Sequence, residues 1–565
     1  MRVWLGTLVT LALAALLAVL ATTPPAPRDP KSTVGLFNIQ AAEADLREIA
    51  RAPHPTGSAE NARVREYLMT QMRGIGMEVS TREGVLEERA AKRLNKWSGR
   101  ADPPAKTVNL VGVLPGRDRN APAVLLMSHH DSVWGSPGAS DDGAGVVTAL
   151  EVARQVAAKG PPSRDLIVLL TDGEELGLQG AKQFFAGDPL LPRIGAVINM
   201  EARGGGGRTT LFETTPDNGE AIALYQAAVT KPGASSLAVF IYSVLPNDTD
   251  LTHAMAGDWA AYNFAFIGRP GLYHSPMATP EALDRGALMD MGWQVSELTQ
   301  ALLTAPKLPG RAPDVVFFDL FGLSLVKYPA GLGWVMLAIA GIALGVAANR
   351  ERNLRALGQG AGRSAGLMLL AAIVLYALNR VSGAEAGANY YDRLAAIPLL
   401  EVMALLAAAA CLLLVLGKGL AGAAQKVGAV LPLALIGLAM QVNAPTAAYV
   451  VIVPVMLTAL VLAAKALLPA NPAKALAVLL GALVLGYMLA LGHQLMQGVG
   501  PDLPSVAALP LALAALALIP TWPALSHRHA RQAGLALLVL ALGVALLVRF
   551  DPMADTVAVY SLATR

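Results

Sequence analysis

Apolar and polar positions along the chain fall into three regimes. Residues 3–21 form one apolar run behind Met1-Arg2 and ahead of the Pro-rich TTPPAPRDP. The run approaches the ~20 residues that span a bilayer and exceeds the roughly 7–15 of a cleavable signal core. An uncleaved anchor is expected, although Val19-Leu20-Ala21 would make a tolerable cleavage site. From about residue 32 to 303, short apolar runs alternate with helical stretches. VNLVGVL (108–114), AVLLMSH (123–129), DLIVLLT (165–171) and GAVINME (195–201) predict strands, and residues 144–158 and 219–229 predict helices. Strands separated by helices predict βαβ units, an α/β domain with a mixed, largely parallel sheet whose functional side chains gather at the carboxyl ends of strands. Beyond Tyr328, Ala/Leu/Val/Gly runs near 331–348, 364–378, 394–416, 427–441, 447–464, 475–491, 505–519 and 534–548 predict about eight more spans. The expected division is a signal-anchor helix (1–27), an α/β domain (28–310), a linker (311–330) and an α-helical multi-pass transmembrane domain (331–565).

Composition agrees with this division. The chain of 565 residues is 54% hydrophobic and only 15% charged, against roughly 25% charged in soluble chains, so much of it belongs in lipid. A net charge of +3, with no Lys/Arg stripe interleaved with aromatics, excludes nucleic acid as a partner. Cys411 is the single cysteine, so no disulfide forms within one chain. Loop charges orient the spans. With Arg2 inside, the inside loops carry Arg350, Arg352, Arg355, Arg363, Lys418, Lys426, Lys465, Lys474, Arg528 and Arg531, while the short outside loops carry Arg380 and Arg393. The positive-inside rule therefore places the α/β domain outside the cytoplasm. The Ala/Gly/Arg-rich composition and compact loops favour a bacterial inner membrane and its periplasm, with a vacuolar or endoplasmic-reticulum lumen as the eukaryotic equivalent.

Five clusters of acids and histidines follow in order through the α/β region: His129-His130-Asp131, GASDDGAG with Asp141 and Asp142, TDGEELGLQG with Glu174 and Glu175, INMEARGGGG with Glu201, and GLYHSP with His274. Each has an ordinary reading by itself. His-x-Asp is common, an Asp before a helix is a cap, and paired glutamates make a solvated turn. Together they place two histidines and three carboxylates at strand ends, with a further carboxylate beside one ligand. Such a donor set suits two Zn²⁺ ions with a position left for water.

The order H-x-D, D-D-x-x-G, E-E-x-G, E/D and Y-H resembles the zinc peptidases of clan MH, family M28. NMEARGGGG, LPNDTDLTHA (245–254), the His274 segment and VVFFDLFGLSLVKYP (315–329) resemble its vacuolar membrane protease and endoplasmic reticulum metallopeptidase 1 group, which joins such a domain to a multispanning region. The resemblance implies a zinc peptidase domain over 28–310. It implies that His129 and Glu201 bind one zinc, Glu175 and His274 bind the second, and Asp141 bridges both. Glu174 is then the general base and Asp131 the partner that orients the site. Many soluble members have Asp where this chain has Glu201. Tyr273 and Arg203 are candidates to hold the oxyanion or a substrate terminus, with core packing and a structural ion pair as their alternatives. Asp248 and Asp250 are expected in a loop or behind the ligands, and His130 and His253 as non-ligands.

The expected function is that of a membrane-anchored metallopeptidase, aminopeptidase-like, that hydrolyses a peptide or protein substrate with a metal-activated water. Two other readings compete. Glutaminyl cyclisation uses a related scaffold with one zinc, against which the full two-metal set argues. A transporter or scaffold with a vestigial peptidase domain would place charged groups inside spans, where Glu401 and His493 both lie near span ends. No span carries a His-Glu-x-x-His or paired-aspartate motif, so the membrane half is expected to anchor, restrain access or bind a partner.

Overall fold

Side chains alternate across a pleated strand, so a strand buried on both faces reads as an unbroken apolar run. In the computed structural model, which describes residues 2–27, 37–100 and 105–564, such runs become β2 (Lys106–Leu114), β3 (Ala123–His129), β4 (Leu166–Thr171) and β5 (Ile194–Ala202) of one sheet. β1 (Glu78–Val85), β6 (Thr210–Thr214) and β7 (Ala260–Phe266) complete it, in the order β1-β2-β4-β3-β5-β7-β6. β4, β3, β5 and β7 run parallel, side by side. β2 joins β4 antiparallel, β1 joins β2 antiparallel, and β6 joins β7 antiparallel.

Val124, Leu126, Leu166, Val168, Leu170, Ile198 and Met200 face one buried cluster, which they share with residues of helices Gly143–Ala158 and Arg285–Thr304. The intervening Ala123, Leu125, Met127, Ile167, Leu169 and Val197 face a second, with Phe184 and Leu251. The chain passes from β3 to β4 on one side and then to β5 on the other. Such a reversal opens a crevice at the carboxyl ends of the strands, here centred on β3.

Contacts divide the chain into two units, Pro24–Lys327 with Met553–Arg565, and Met1–Thr23 with Tyr328–Pro552. Two points differ from the sequence expectation. Residues 311–330 hold a two-stranded sheet, β8 (Val315–Asp319) and β9 (Leu325–Pro329), where a linker was expected. Its apolar residues explain the difference: Val316 and Phe317 are buried, and the backbone of Phe317 exchanges hydrogen bonds with the Ser236 hydroxyl. The second point is that residues 553–565 belong with the α/β unit rather than with the spans. The start of the domain expected at residues 28–36 lies outside the described residues.

In the other unit, seven helices among the described residues are long and apolar enough to cross a membrane, as in a multi-pass membrane protein. They are Trp4–Thr22, Leu354–Val381, Ile397–Leu416, Gly422–Asn443, Tyr449–Leu467, Ala470–Val499 and His527–Phe550, and Leu332–Ala348 and Pro504–Leu518 are shorter apolar helices. The helices overrun the apolar runs because caps, not hydropathy, set their starts. Asn353 accepts from the Ala356 N–H at 3.0 Å, and Ser526 from the His529 N–H at 3.2 Å. The N-terminal helix packs closely here: a Cβ on Gly486 would lie 2.9 Å from the Leu17 Cβ, the small-residue contact that lets apolar helices approach in lipid.

The packing of the central strands predicts that Leu126→Ala destabilises the α/β unit by about 2–5 kcal/mol. An unchanged melting transition of the purified full chain would contradict it.

Candidate metal centre

Each of the four parallel strands ends in, or hands the chain to, an ionisable side chain. His129 is the last residue of β3. Its Nδ1 lies 2.9 Å from the Asp131 carbonyl and 3.5 Å from the Asp131 carboxylate. An Nδ1–H held there leaves the Nε2 lone pair facing inward, where Asp141 Oδ1 stands at 3.1 Å and Glu201 Oε2 at 3.8 Å. Glu201 comes from the end of β5, with Asn199 Nδ2 donating to its Oε1 at 3.3 Å.

After β4 the chain turns through Gly173, whose φ of 77° lies in the left-handed region, and presents Glu174 and Glu175. Their backbone N–H groups donate to Asp131 at 3.1 and 3.4 Å. Asp131 thus ties the end of β3 to the loop after β4. Asp142, not Asp141, caps helix Gly143–Ala158, accepting from the Gly145 N–H at 3.0 Å and from the His129 N–H at 3.3 Å. With the cap supplied by its neighbour, Asp141 faces the cluster. His274 follows β7 and a single 3-10 turn, and its own φ is 56°. A non-glycine residue in that conformation is held there by its surroundings. Its Nε2 lies 3.1 Å from Glu175 Oε2 and 3.3 Å from Asp141 Oδ2.

Burial and mutual repulsion set the electrostatics. Burial is the first cause that pushes Glu174, Glu201 and Asp142 well above the ordinary carboxylate range. Glu175, Asp250 and Asp141 push Glu174 further, against the pull of His129. Burial also opposes ionisation of Asp141, but hydrogen bonds with His129 and His274 outweigh it and hold this carboxyl at about 2. In the same way His129 outweighs burial at Asp131 and lowers it. Burial disfavours the charged form of both histidines, yet the carboxylates around them raise both well above the ordinary value.

A shared proton or a cation is what lets such a cluster persist. Donor atoms of His129, Asp141 and Glu201 lie within 4.8 Å of one another, as do those of Asp141, Glu175 and His274, and those of His129, Glu174 and Glu175. Glu175 Oε1 is buried without a hydrogen-bond partner among the described residues. Imidazole nitrogens and carboxylate oxygens are donors that suit zinc, and the residues fit a bound metal, with Asp141 common to two of the three donor groups.

Tyr273 stacks on His274, ring centroids 3.8 Å apart, and the Arg203 guanidinium carbon stands 5.9 Å from the Tyr273 ring centre. His130 points away from the cluster, with Nε2 3.0 Å from the Val108 carbonyl. Asp250 is buried and accepts from the Thr171 hydroxyl, while Asp248 accepts from Thr252 in an exposed loop. Three residues were missed by reading the sequence. Thr56 donates to Asp172 at 2.9 Å and to Asp131 at 3.3 Å. Asp142 is the cap, which the Asp-Asp pair left unassigned between its two members. Tyr560 places its hydroxyl 2.9 Å from His274 Nδ1; nothing in the local pattern around it signals such a role.

Residues 109–299 match the family model described as Peptidase family M28. Endoplasmic reticulum metallopeptidase 1 of Mus musculus is 30% identical over 316 residues, 54% of this chain and 35% of that protein. Vacuolar membrane protease of Yarrowia lipolytica is 30% identical over 307 residues, 51% of this chain and 30% of that protein. This chain thus matches about a third of the length of these relatives. An aminopeptidase from Aneurinibacillus sp. strain AM-1 aligns in structure with a TM-score of 0.38 and 15% identity, over 49% of this chain and 96% of that one.

Carboxylates that hold protons above their ordinary range must release them before a cation binds. Such protons stabilise the metal-free fold at low pH, and that contribution is lost as pH rises through the raised values; Asp141 and Asp131, held low, are already ionised there. The rise in melting midpoint caused by zinc is therefore expected to grow as pH rises above the ordinary carboxylate range. A zinc increment independent of pH would contradict this assignment of the ligands.

Proposed function

We propose that this chain, which carries a peptidase family M28 domain, is a membrane-anchored, zinc-dependent exopeptidase acting outside the cytoplasm on a peptide or protein substrate. The observation that carries the reading is the sharing of Asp141 between two donor groups, His129 with Glu201 on one side and Glu175 with His274 on the other. Two zinc ions bound there would polarise a scissile carbonyl and make a water acidic enough to ionise near neutral pH.

The chain's own residues supply the rest. Glu174 stands beside the proposed ligand Glu175, where its carboxylate would take a proton from water and return it to a leaving amine. Asp131 holds His129 in one tautomer and fixes the Glu174 backbone. Tyr273, which stacks on His274, and Arg203, over the Tyr273 ring, would hold a substrate terminus or the developing oxyanion. The excess of Arg and Lys in alternate loops of the membrane half supports the extracytoplasmic side.

A second reading, transport by the membrane half, has one observation in its favour. Glu401 accepts from Gln497 Nε2 at 2.8 Å and pairs with His493 Nδ1 at 3.0 Å, a polar contact between two apolar helices. It lies near one end of each helix, and the complete donor set of the α/β unit favours the enzyme.

The test compares the purified full chain with Glu174→Gln on a mixed peptide library, with product ends read by mass spectrometry. The wild type should remove single residues from one terminus. The variant should keep its zinc and lose about 10²–10⁴ in kcat. Pyroglutamate formation would point to a cyclase, and wild-type turnover in the variant would remove Glu174 from its role.

A further inference from the structure

A histidine that binds a metal through one ring nitrogen usually gives its other N–H to a partner that fixes the tautomer and the ring plane. The two histidines of this centre find that partner in different ways. His129 uses Asp131, two residues away on its own strand end. His274 uses the hydroxyl of Tyr560, 286 residues away in sequence.

Tyr560 is delivered by the segment that follows the helix His527–Phe550. Residues 553–565 cluster with the α/β unit, and three further contacts place them. The Tyr560 ring lies 4.9 Å from that of Trp97, centre to centre. Val557 and Ala558 are buried. Gly135, with a φ of 88°, leaves the space in which Val559 sits, since a Cβ there would come within 3.0 Å of the Val559 Cβ. Chain parity is consistent with this: among the described residues, six long apolar helices and both shorter ones follow Tyr328, an even number, so a crossing by each would return the chain to the side it left.

We propose that Tyr560 is a positioning residue for His274, and that the strap of residues 553–562 completes the Asp141–Glu175–His274 metal site. The proposal rests on the metal-centre reading above. With Nε2 facing Glu175 and Asp141, Nδ1 carries the proton and donates it to the Tyr560 oxygen. A neutral phenol is a weaker acceptor than the Asp131 backbone carbonyl, at 2.9 Å, with the Asp131 carboxylate behind it at 3.5 Å, that serves His129, so the two sites differ in affinity. The Asp141–Glu175–His274 site is the weaker one and depends on where the strap lies. The membrane half thereby gains a covalent handle on the active centre, through the few residues that join Phe550 to Tyr560.

The test uses the full chain in detergent micelles, loaded with zinc and titrated with a chelator while bound metal is counted by mass spectrometry. The wild type should release two zincs in separate steps. Tyr560→Phe keeps the ring against Trp97 and removes only the oxygen, and should weaken the first-released zinc by about 10–100-fold while leaving the other in place. Trp97→Ala removes the surface against which the Tyr560 ring lies and should shift the same step in the same direction, by less. A merely structural role would weaken both steps together. Either folded variant showing the wild-type release curve, or losing both zincs alike, overturns the proposal. A wild type that binds no zinc would instead overturn the metal-centre reading itself.

Discussion

Repulsion among carboxylates gathered at the ends of parallel strands is the constraint around which the α/β unit is arranged. Asp141, Glu175 and Glu201 converge with Glu174 close by, and the ion pairs they make run through His129 and His274. In a site withdrawn from water such charges cannot all persist unneutralised. The structure answers in two ways. Some groups hold protons well above their ordinary range, as Glu174 and Glu201 do, while Asp141 stays ionised between two imidazoles. In the proposed reading, a divalent cation on either side of Asp141 would remove the conflict, with Glu201 as a ligand and Glu174 as the base.

The sheet makes this convergence possible. β3 lies between β4 and β5, so the loops after three neighbouring strands open into one crevice. Both faces of these strands are packed with apolar side chains, which fixes their register and so the positions of His129, Glu174 and Glu201 to within a side chain's reach. Finer placement comes from polar contacts at the strand ends. Asp131 accepts from the loop that carries the two glutamates, Asp142 caps the helix and leaves Asp141 to the cluster, and His274 is held in a left-handed conformation.

The sequence made the central strands legible because burial on both faces leaves runs such as AVLLMSH that a helix or loop would not need. It made the candidate groups His129, Glu174, Glu175 and Glu201 legible because they sit where such runs stop, or within four residues of them. Other parts were hidden for physical reasons. β1 reads EVSTREGV because it is an edge strand with most of its side chains exposed, so no apolar run marks it. The β8–β9 pair reads as a linker because its apolar residues adjoin the apolar helix Leu332–Ala348. Helix starts in the membrane half were displaced because Asn353 and Ser526 cap helices ahead of the apolar residues. Tyr560 lies beyond the last span, and only folding brings it to His274.

The most direct test of the central claim is to locate metal in the protein itself. Anomalous diffraction at the zinc edge from crystals of the full chain should give two peaks separated by about 3.5–4 Å, the spacing of paired catalytic metals. Asp141 should lie between them, with His129 and Glu201 on one and Glu175 and His274 on the other. A single peak, or a pair whose ligands exclude Asp141, would contradict the account.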